Sequence, residues 1–373
     1  MDTLTLQDLV EMVFSLQPIS DVLDISEKLE LFSNLNIQFL FTKLVFDSDI
    51  YKKFPLPLTY SKNLLYRLIK KIELVNGEVS DSLYLCLSQM NVNNLNQINR
   101  NSHIILSDKN FEKINSSNKL LKNMRTRYFA FKFEYCNSLG MRPWSAGFHL
   151  TEWLIHCSNM NRGILNSNII ELGSGIGIAS IITFLTIPIS SIFSTDCDKD
   201  IVDNIKYNYS INGVEFDHIN KTNCKDDFKV RVGCLDWETI NASVAEELVK
   251  SLKNPLIISS DVIYDDKLTF DFTRALMYIL KAIYKKKFGE YPENYTDTSV
   301  IRRVNWQELP IADFKSITIY AVSINTIRNE KTIQNFVDCC IESGMKVSID
   351  KTKIPVLFRY ELVAPIVVFI IHY

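Results

Sequence analysis

Excess charge of either sign is missing from this 373-residue sequence. Its 41 lysines and arginines are balanced by 43 acidic residues, for a formal net charge of −2. Proteins that bind nucleic acid usually carry a basic surface, so the composition predicts no direct nucleic-acid partner. The local run Lys285-Lys286-Lys287 is more typical of a solvated loop or helix end.

Metal-binding patterns are also missing. The eight cysteines contain no C-x-x-C pair, and the five histidines are scattered. We therefore expect neither a zinc site nor a disulfide framework, and we predict no metal. Reduced cysteines are typical of the cytosol or nucleus, which favours a cytoplasmic protein.

Long apolar runs are rare. The residues Met1-Asp2-Thr3-Leu4 lack the basic region and apolar core of a signal peptide, and the apolar stretch Pro365 to Tyr373 has about half the length that spans a bilayer. The sequence therefore predicts a soluble chain without a membrane partner.

Glycine is scarce, yet three of the 11 glycines, Gly173, Gly175 and Gly177, fall within five residues. They follow a β-branched run, residues 168–172, and precede an apolar helical pattern, residues 178–185. Strand, tight turn and helix begin a βαβ unit, in which a missing Cβ lets the backbone turn sharply and approach a ligand. The third glycine of the dinucleotide fingerprint is replaced by isoleucine, so a nicotinamide cofactor fits poorly.

Two carboxylates select among the remaining cofactors. Asp196 ends the next predicted strand roughly 20 residues past the glycines, where a carboxylate can accept both ribose hydroxyls of an adenosine. Glu171, beside the turn, would repel a pyrophosphate but suits the ammonium and sulfonium groups of S-adenosylmethionine. We interpret E-L-G-S-G-I-G as a methyl-donor site, with a glycine turn that binds no ligand as the alternative.

Two further strand ends carry candidate groups. Trp237 follows a short strand, where its ring can lie on adenine or simply pack in the core. Asp261 and Tyr264 follow the strand at residues 256–260, where a carboxylate can hold a substrate amine or cap a turn, and a tyrosine can flank the alkyl stem. Methyl transfer is an in-line displacement, so the protein mainly aligns and desolvates a neutral amine, and we expect no dedicated general base.

The order of the predicted elements indicates the fold class. Strands and helices alternate beyond about residue 120, which predicts an α/β domain over 120–373 with a doubly wound, mostly parallel sheet and ligands at the carboxyl ends of its strands. A smaller helical domain is predicted over 1–100, ending in an asparagine-rich linker, and a surface loop insertion at about 285–313. The other predicted elements are helices at Leu6–Phe14, Ile25–Val45, Asn63–Ile72, Trp144–Cys157 with Ser145 as N-cap, Ile201–Ile211, Thr269–Tyr284 and Thr332–Ser343, and strands at Tyr128–Tyr135, Val230–Val232, Ile317–Val322, Lys346–Asp350 and Val363–Ile371.

Several stretches together resemble a known family. They are Arg142-Pro143-Trp144-Ser145-Ala146-Gly147-Phe148-His149-Leu150-Thr151-Glu152-Trp153, the glycine turn, Leu235-Asp236-Trp237, Asp261-Val262-Ile263-Tyr264 and Arg328-Asn329-Glu330-Lys331-Thr332. In this order they resemble the seven-strand protein lysine methyltransferases, and within them the elongation factor 2 lysine methyltransferase family. The segments Leu64–Glu73 and Asp81–Tyr84 resemble the helical N-terminal domain of that branch.

The resemblance implies a seven-stranded Rossmann-like methyltransferase sheet and transfer of methyl groups from S-adenosylmethionine to a lysine of translation elongation factor 2. It also implies that Asp261 and Tyr264 form the lysine channel. The implied cofactor contacts are Trp144, which would help to close the site, Glu171, Gly173, Gly175, Gly177, Asp196, Trp237 and Ser260. Glu330 stands where the family usually has proline, and the 285–313 insertion has no counterpart. Another protein target, or a catalytically silent cofactor-binding interaction module, are the alternatives.

Overall fold

The structure, a computed structural model, describes residues 4–92, 102–108, 127–134, 138–218, 229–292, 304–315, 317 and 320–373. Two units divide the chain. The N-terminal unit comprises Met1–Ser138 and Val356–Glu361, and the C-terminal unit comprises Leu139–Pro355 and Leu362–Tyr373. Of the predicted domain boundary, between residues 100 and 120, only residues 102–108 are described, and most of the predicted linker lies outside the described residues, so the boundary stays a prediction.

Apolar residues at three- and four-residue spacing build the N-terminal unit from amphipathic helices. These are α1 (Leu6–Phe14), α2 (Ile19–Lys28), α3 (Leu35–Val45), α4 (Asp49–Lys53), α5 (Leu58–Leu74) and α6 (Asp81–Val92). The predicted helix over Ile25–Val45 is wrong, because the chain turns at Glu30, where φ is +58°. The Asn34 side chain then caps α3 by accepting hydrogen bonds from the backbone N–H groups of Asn36 and Ile37.

A β-hairpin completes the N-terminal unit. Strand β1 (Ser102–Asp108) pairs antiparallel with β2 (Arg127–Phe133), which confirms the predicted strand over Tyr128–Phe133; Tyr135 lies outside the described residues. The returning segment Val356–Glu361 belongs to this unit through its side chains. The Phe358 ring packs 6.4 Å from the Phe129 ring, and the Arg359 guanidinium lies 3.0 Å from the Asp8 carboxylate.

The C-terminal unit contains the predicted parallel sheet. Its strands are β3 (Asn168–Leu172), β4 (Ser191–Asp196), β5 (Asp217–His218), β6 (Val230–Cys234), β7 (Pro255–Ser260), β8 (Ala321–Thr326), β9 (Lys346–Ile349) and β10 (Ile366–His372). They follow the order β5-β6-β4-β3-β7-β8-β10-β9, and β10 runs antiparallel to both of its neighbours. The seven-stranded Rossmann-like prediction is confirmed, with the two-residue β5 added at one edge. Because β3 lies beside β4 and β7, the polar residues that follow these strands meet at one edge.

The helices of the C-terminal unit follow the predicted pattern with shifted ends, except α10, which was not predicted. They are α7 (Ser145–Asn159), α8 (Ile178–Thr186), α9 (Lys199–Ile211), α10 (Ala242–Val249), α11 (Asp266–Phe288) and α12 (Glu330–Glu342). Ser145 is not the N-cap of α7: Trp144 occupies that position with an extended backbone and no side-chain cap bond, and Ser145 is the first helical residue. Among the described residues, no helix has both the length and the apolar character that a membrane crossing needs.

Two predictions near the C-terminal half need correction. The strand predicted at Ile317–Val322 is described at Ala321–Thr326, since the apolar alternation continues past Val322 and pairing with β7 aligns Ile257 with Ala321. Thr318 and Ile319 lie outside the described residues. The insertion begins later than predicted, and most of its described residues beyond α11 are exposed, in keeping with a surface loop. Residues 285–288 extend α11, and beyond them the Trp306 backbone N–H donates to the Gln334 side chain at 2.9 Å.

Candidate active site

The glycine turn joins β3 to α8, and its backbone is left-handed at each glycine. A Cβ on Gly175, where φ is +53°, would lie 3.1 Å from the Gly140 carbonyl oxygen. A Cβ on Gly173, where φ is +71°, would lie 3.0 Å from Val262 Cγ1 and 3.2 Å from the Trp237 ring. These positions therefore require glycine both for conformation and for space. Gly177, with φ +84°, takes the N-cap position of α8.

Asp196 ends β4 with its carboxylate directed at this turn. Oδ2 accepts a hydrogen bond from the Gly175 N–H at 3.2 Å, and Oδ1 accepts one from the Asp198 N–H at 3.4 Å. Burial raises the pKa of the Asp196 carboxyl group, and the backbone hydrogen bonds lower it. A carboxylate offers about four acceptor positions, so Asp196 can still accept hydroxyl groups of a ligand. The pairing of turn and acid that the sequence predicts is present.

Glu171 is 1% exposed and interacts with α8. Its Oε2 accepts a hydrogen bond from the Ser180 hydroxyl, a partner that no sequence pattern indicated. Burial raises the pKa of Glu171 to about 7, although hydrogen bonds from Ser180 and Ser174 lower it. A carboxyl group with this pKa is only partly ionised near neutral pH, so Glu171 is a weaker partner for a cation than its residue type implies.

Trp237 stands against the glycine turn on one side and the core on the other. Its ring is 5.2 Å from the Phe272 ring and near Gly173. The two sequence interpretations of this tryptophan are therefore compatible, since one ring face can pack while an edge borders the turn. Asp236 accepts a hydrogen bond from the Glu238 N–H at 2.9 Å, which is a capping role.

Asp261 follows β7 with φ +52°, a left-handed conformation that is uncommon outside glycine. Its Oδ1 accepts hydrogen bonds from Thr326 N–H at 2.8 Å and from the Thr326 hydroxyl at 2.6 Å. Its Oδ2 lies 3.3 Å from the Arg328 guanidinium. The predicted substrate carboxylate is thus fixed by β8 and already paired with a cation. Sequence reasoning assigned no role to Thr326 or Arg328.

The backbone after Asp261 is held by a buried amide. Asn325, on β8, accepts hydrogen bonds from the N–H groups of Val262 and Ile263, both at 3.2 Å, and donates to Ser323 Oγ at 2.9 Å. Buried polar groups need such partners, so this amide fixes the loop that carries Asp261 and Tyr264. The polar residues within the otherwise apolar strand β8 are the sequence feature that could have indicated this role.

Trp144 and Ser260 border the same edge. The Trp144 indole N–H donates to the Leu139 carbonyl at 2.9 Å, and the Arg328 guanidinium carbon lies 4.4 Å from the centre of the Trp144 ring. Ser260 Oγ lies 3.6 Å from where a Cβ on Gly147 would be, so the start of α7 passes close to the end of β7. Trp144 and Asp261 are therefore connected through Arg328.

Tyr264 follows Asp261 by three residues in the same loop. Burial first, and then the negative charge of Asp196, raise the pKa of the Tyr264 hydroxyl. Its side chain is 49% exposed. The described contacts thus connect Asp261 with β8, whereas the exposed Tyr264 ring is open to a ligand.

The donor set fits an adenosine cofactor. A carboxylate with spare acceptor capacity, a crowded glycine turn and an indole ring lie together at the carboxyl edge, which is where doubly wound sheets bind ligands. Among the described residues, no group of histidine, cysteine and acidic side chains has the arrangement to hold a metal ion.

Comparison with known proteins agrees with this geometry. Residues 124–288 match the model of a family described as lysine methyltransferase. An uncharacterized protein of Dictyostelium discoideum is 28% identical over 155 residues, 39% of this chain and 42% of that protein. Proteins named protein-lysine N-methyltransferase EEF2KMT are 26% identical over 218 residues in Mus musculus and 27% identical over 214 residues in Homo sapiens, covering 58% and 57% of this chain and 58% of each relative. The chain thus spans about half the length of the curated relatives it matches.

Proposed function

We propose that this chain, whose residues 124–288 match the model of a family described as lysine methyltransferase, transfers methyl groups from S-adenosylmethionine to the side-chain amine of a protein lysine. The observation that carries the proposal is the hydrogen bond between the Gly175 N–H and the Asp196 carboxylate, which joins the glycine turn to a strand-end acid. Such a pair at the carboxyl edge of a parallel sheet is suited to an adenosine cofactor.

The proposed cofactor residues have separate tasks. Asp196 accepts the ribose hydroxyls, the Trp237 ring borders the adenine, and the left-handed backbone at Gly173 and Gly175 permits close approach. Ser260 and Trp144 border the remaining side. Bound S-adenosylmethionine supplies a methyl group attached to a positively charged sulfur. Glu171 acts through its bond to Ser180, which connects β3 with α8 beside the turn.

The substrate residues align an amine and exclude water from it. Tyr264 offers a half-exposed ring for the alkyl stem, and Asp261 offers a fixed carboxylate for the charged amine before the amine loses its proton. An amine attacks carbon only when it is neutral, so the site must allow proton loss to solvent. Orientation of the two reactants provides the main rate advantage in such a displacement.

We further propose translation elongation factor 2 as the substrate, and hence the cytoplasm as the location. Support comes from the ordered sequence resemblance described above and from the relatives named EEF2KMT. The helical N-terminal unit is a candidate for binding the protein substrate. Glu330 and the insertion distinguish this chain from the family pattern, so a different protein target is the second candidate.

Radiolabelled S-adenosylmethionine tests the proposal directly. The purified chain is incubated with an extract depleted of its own activity, and labelled proteins are identified by mass spectrometry. Label on a lysine of elongation factor 2, lost in Asp196→Ala, is the expected result. Label on another protein would reject the target but retain the chemistry. Tight cofactor binding without any label would favour a catalytically silent interaction module.

A further inference from the structure

A cation already lies between the two substrate-side groups of the proposed active site. The Arg328 guanidinium carbon is 4.4 Å from the centre of the Trp144 ring, and Arg328 Nη2 is 3.3 Å from Asp261 Oδ2. An aromatic face and a carboxylate are the groups that together recognise a positively charged side chain. The structure therefore contains a cation subsite, filled by the protein's own arginine.

The anionic side of this subsite is rigid. The Asp261 side chain is 7% exposed, and Thr326 holds its Oδ1 with two hydrogen bonds of 2.8 Å and 2.6 Å. The Asp261 N–H also donates to the Ile324 carbonyl at 2.9 Å, which helps to retain the left-handed backbone. A desolvated carboxylate needs a cation partner in every state of the protein, because an unpaired buried charge is costly.

The cationic side is adjustable. The Arg328 side chain is 39% exposed, and its contact with Asp261 is a single N–O approach of 3.3 Å, without the two parallel bonds that make arginine–carboxylate pairs strong. Because the Arg328 side chain is partly solvated, water can hydrate its guanidinium when it leaves. Arg328 can therefore leave at small cost, provided that another cation replaces it.

We propose that Arg328 is a placeholder in the lysine subsite, a role that rests on the proposed function. Its guanidinium occupies the position between Trp144 and Asp261 in the substrate-free protein, and the ammonium group of the entering lysine displaces it. Arg328 thereby tunes the affinity for substrate: it keeps Asp261 paired when the site is empty and competes with every incoming amine.

The test measures cation binding without methyl transfer. The full chain is labelled with 5-fluorotryptophan, the Trp144 resonance is assigned with Trp144→Phe, and n-butylammonium chloride is titrated into the wild-type protein and Arg328→Gln, with sodium chloride as the ionic-strength control. When Arg328 occupies the subsite in most molecules, the apparent affinity for butylammonium falls in proportion to the fraction of molecules whose subsite is open. We therefore expect Arg328→Gln to bind butylammonium about 10-fold more tightly than the wild type. Asp261→Asn combined with Arg328→Gln should abolish the response.

Two results would overturn the proposal. One is equal butylammonium affinity in the wild type and Arg328→Gln, and the other is no response of the Trp144 resonance in an Arg328→Gln protein that melts like the wild type. Arg328→Lys supplies the matched cation, and it should again reduce butylammonium affinity relative to Arg328→Gln.

Kinetics separate a placeholder from a permanent positioning residue. Once a methylated protein substrate is known, Arg328→Gln should lower KM while kcat is retained. A lower kcat with a pH profile displaced to higher pH would overturn the placeholder, because an arginine that stays beside the amine favours the neutral amine. If the wild type transfers no methyl group, the proposed function fails, whereas the butylammonium titration still decides whether Arg328 fills a cation subsite.

Discussion

Asp196 accepts a hydrogen bond from the backbone N–H of Gly175 at 3.2 Å, which joins the end of β4 to the turn between β3 and α8. The same carboxylate accepts a hydrogen bond from Asp198 N–H, so both of its oxygens are oriented before any ligand arrives. A pre-oriented acceptor loses little conformational freedom on binding. The glycine turn and the acid therefore act as one unit.

Asp196→Asn should weaken S-adenosylmethionine binding by roughly 10-fold or more, since one acceptor oxygen becomes a donor and a ribose hydroxyl loses its partner. Isothermal titration calorimetry measures this change. Asp198→Asn is the matched control, because Asp198 is exposed and caps α9 by accepting the Asp200 N–H at 2.8 Å, a role that asparagine retains. Equal affinities in the two variants would contradict the assignment of Asp196.

Comparing Gly175→Ala with Gly213→Ala separates the cost of a left-handed backbone from the cost of a steric clash at the new Cβ. Both glycines have positive φ, but a Cβ on Gly213 would meet nothing within 4 Å, whereas one on Gly175 would lie 3.1 Å from the Gly140 carbonyl. Left-handed backbone costs a residue with a Cβ about 1–2 kcal/mol, so both variants should lose about that much stability. Gly175→Ala should lose more and should also weaken cofactor binding. Urea unfolding and calorimetry measure the two effects, and identical behaviour would exclude a special role of the turn.

Glu171→Gln should remove a pH dependence of stability. Burial raises the pKa of Glu171 in the folded protein to about 7, from an ordinary value of 4.5. Because the folded-state pKa is raised, its stabilising contribution is complete below the ordinary value and is lost as pH rises through about 7. The wild type should therefore lose up to about 3 kcal/mol relative to Glu171→Gln between about pH 5 and about pH 8.

Urea unfolding of both Glu171 proteins at several pH values in this window provides the measurement. The comparison cancels the pH dependence of all other groups. A difference in free energy of unfolding that stays constant with pH would mean that Glu171 has an ordinary pKa in the folded protein.

Asp261→Ala should reduce methyl transfer at least about 100-fold while leaving S-adenosylmethionine affinity unchanged, because the cationic amine loses its partner and Arg328 is left unpaired. Labelled-methyl incorporation and calorimetry give the two readouts. Asp265→Asn is the control: Asp265 caps α11 by accepting the N–H groups of Lys267 and Leu268, and asparagine can do the same. Transfer that persists in Asp261→Ala would show that the lysine channel lies elsewhere.

Lys286→Met should destabilise the C-terminal unit by about 1–2 kcal/mol. The Lys286 ammonium donates to three backbone carbonyls at and beyond the C-terminal end of α10, those of Val249, Lys250 and Leu252, at 2.9, 2.6 and 2.6 Å. The neighbouring Lys287 instead lies over the Phe288 ring at 5.6 Å, so Lys287→Met serves as the matched control. Thermal unfolding compares them, and equal loss in both would contradict the capping role.

Sequence patterns predicted the βαβ core well because its signals are local. The run before Gly173 is apolar and β-branched, the turn needs glycine, and Asp196 follows the next strand directly. Each of these features depends on a few consecutive residues, and the parallel sheet follows from the alternation of elements.

The contacts that fix Asp261 were beyond local patterns. Thr326 and Arg328 reach it, and Asn325 reaches the two residues that follow it, only because β8 pairs with β7, a relation between residues more than sixty positions apart. The same pairing aligns Ile257 with Ala321, which an alternating apolar run cannot specify by itself. Ser180 likewise becomes the partner of Glu171 only after α8 packs on the sheet.

The return of Val356–Glu361 to the N-terminal unit matters for anyone who dissects this chain. The polypeptide passes between the units three times, so a cut after residue 138 yields no clean pair of fragments. A piece beginning at Leu139 would carry Phe358, which is 1% exposed in the whole chain, without the Phe129 ring it packs against. Such a piece would expose the Phe358 side chain and leave Arg359 unpaired. Aggregation of the truncated protein would then result from this exposed apolar surface, and it would not show that the C-terminal unit lacks activity.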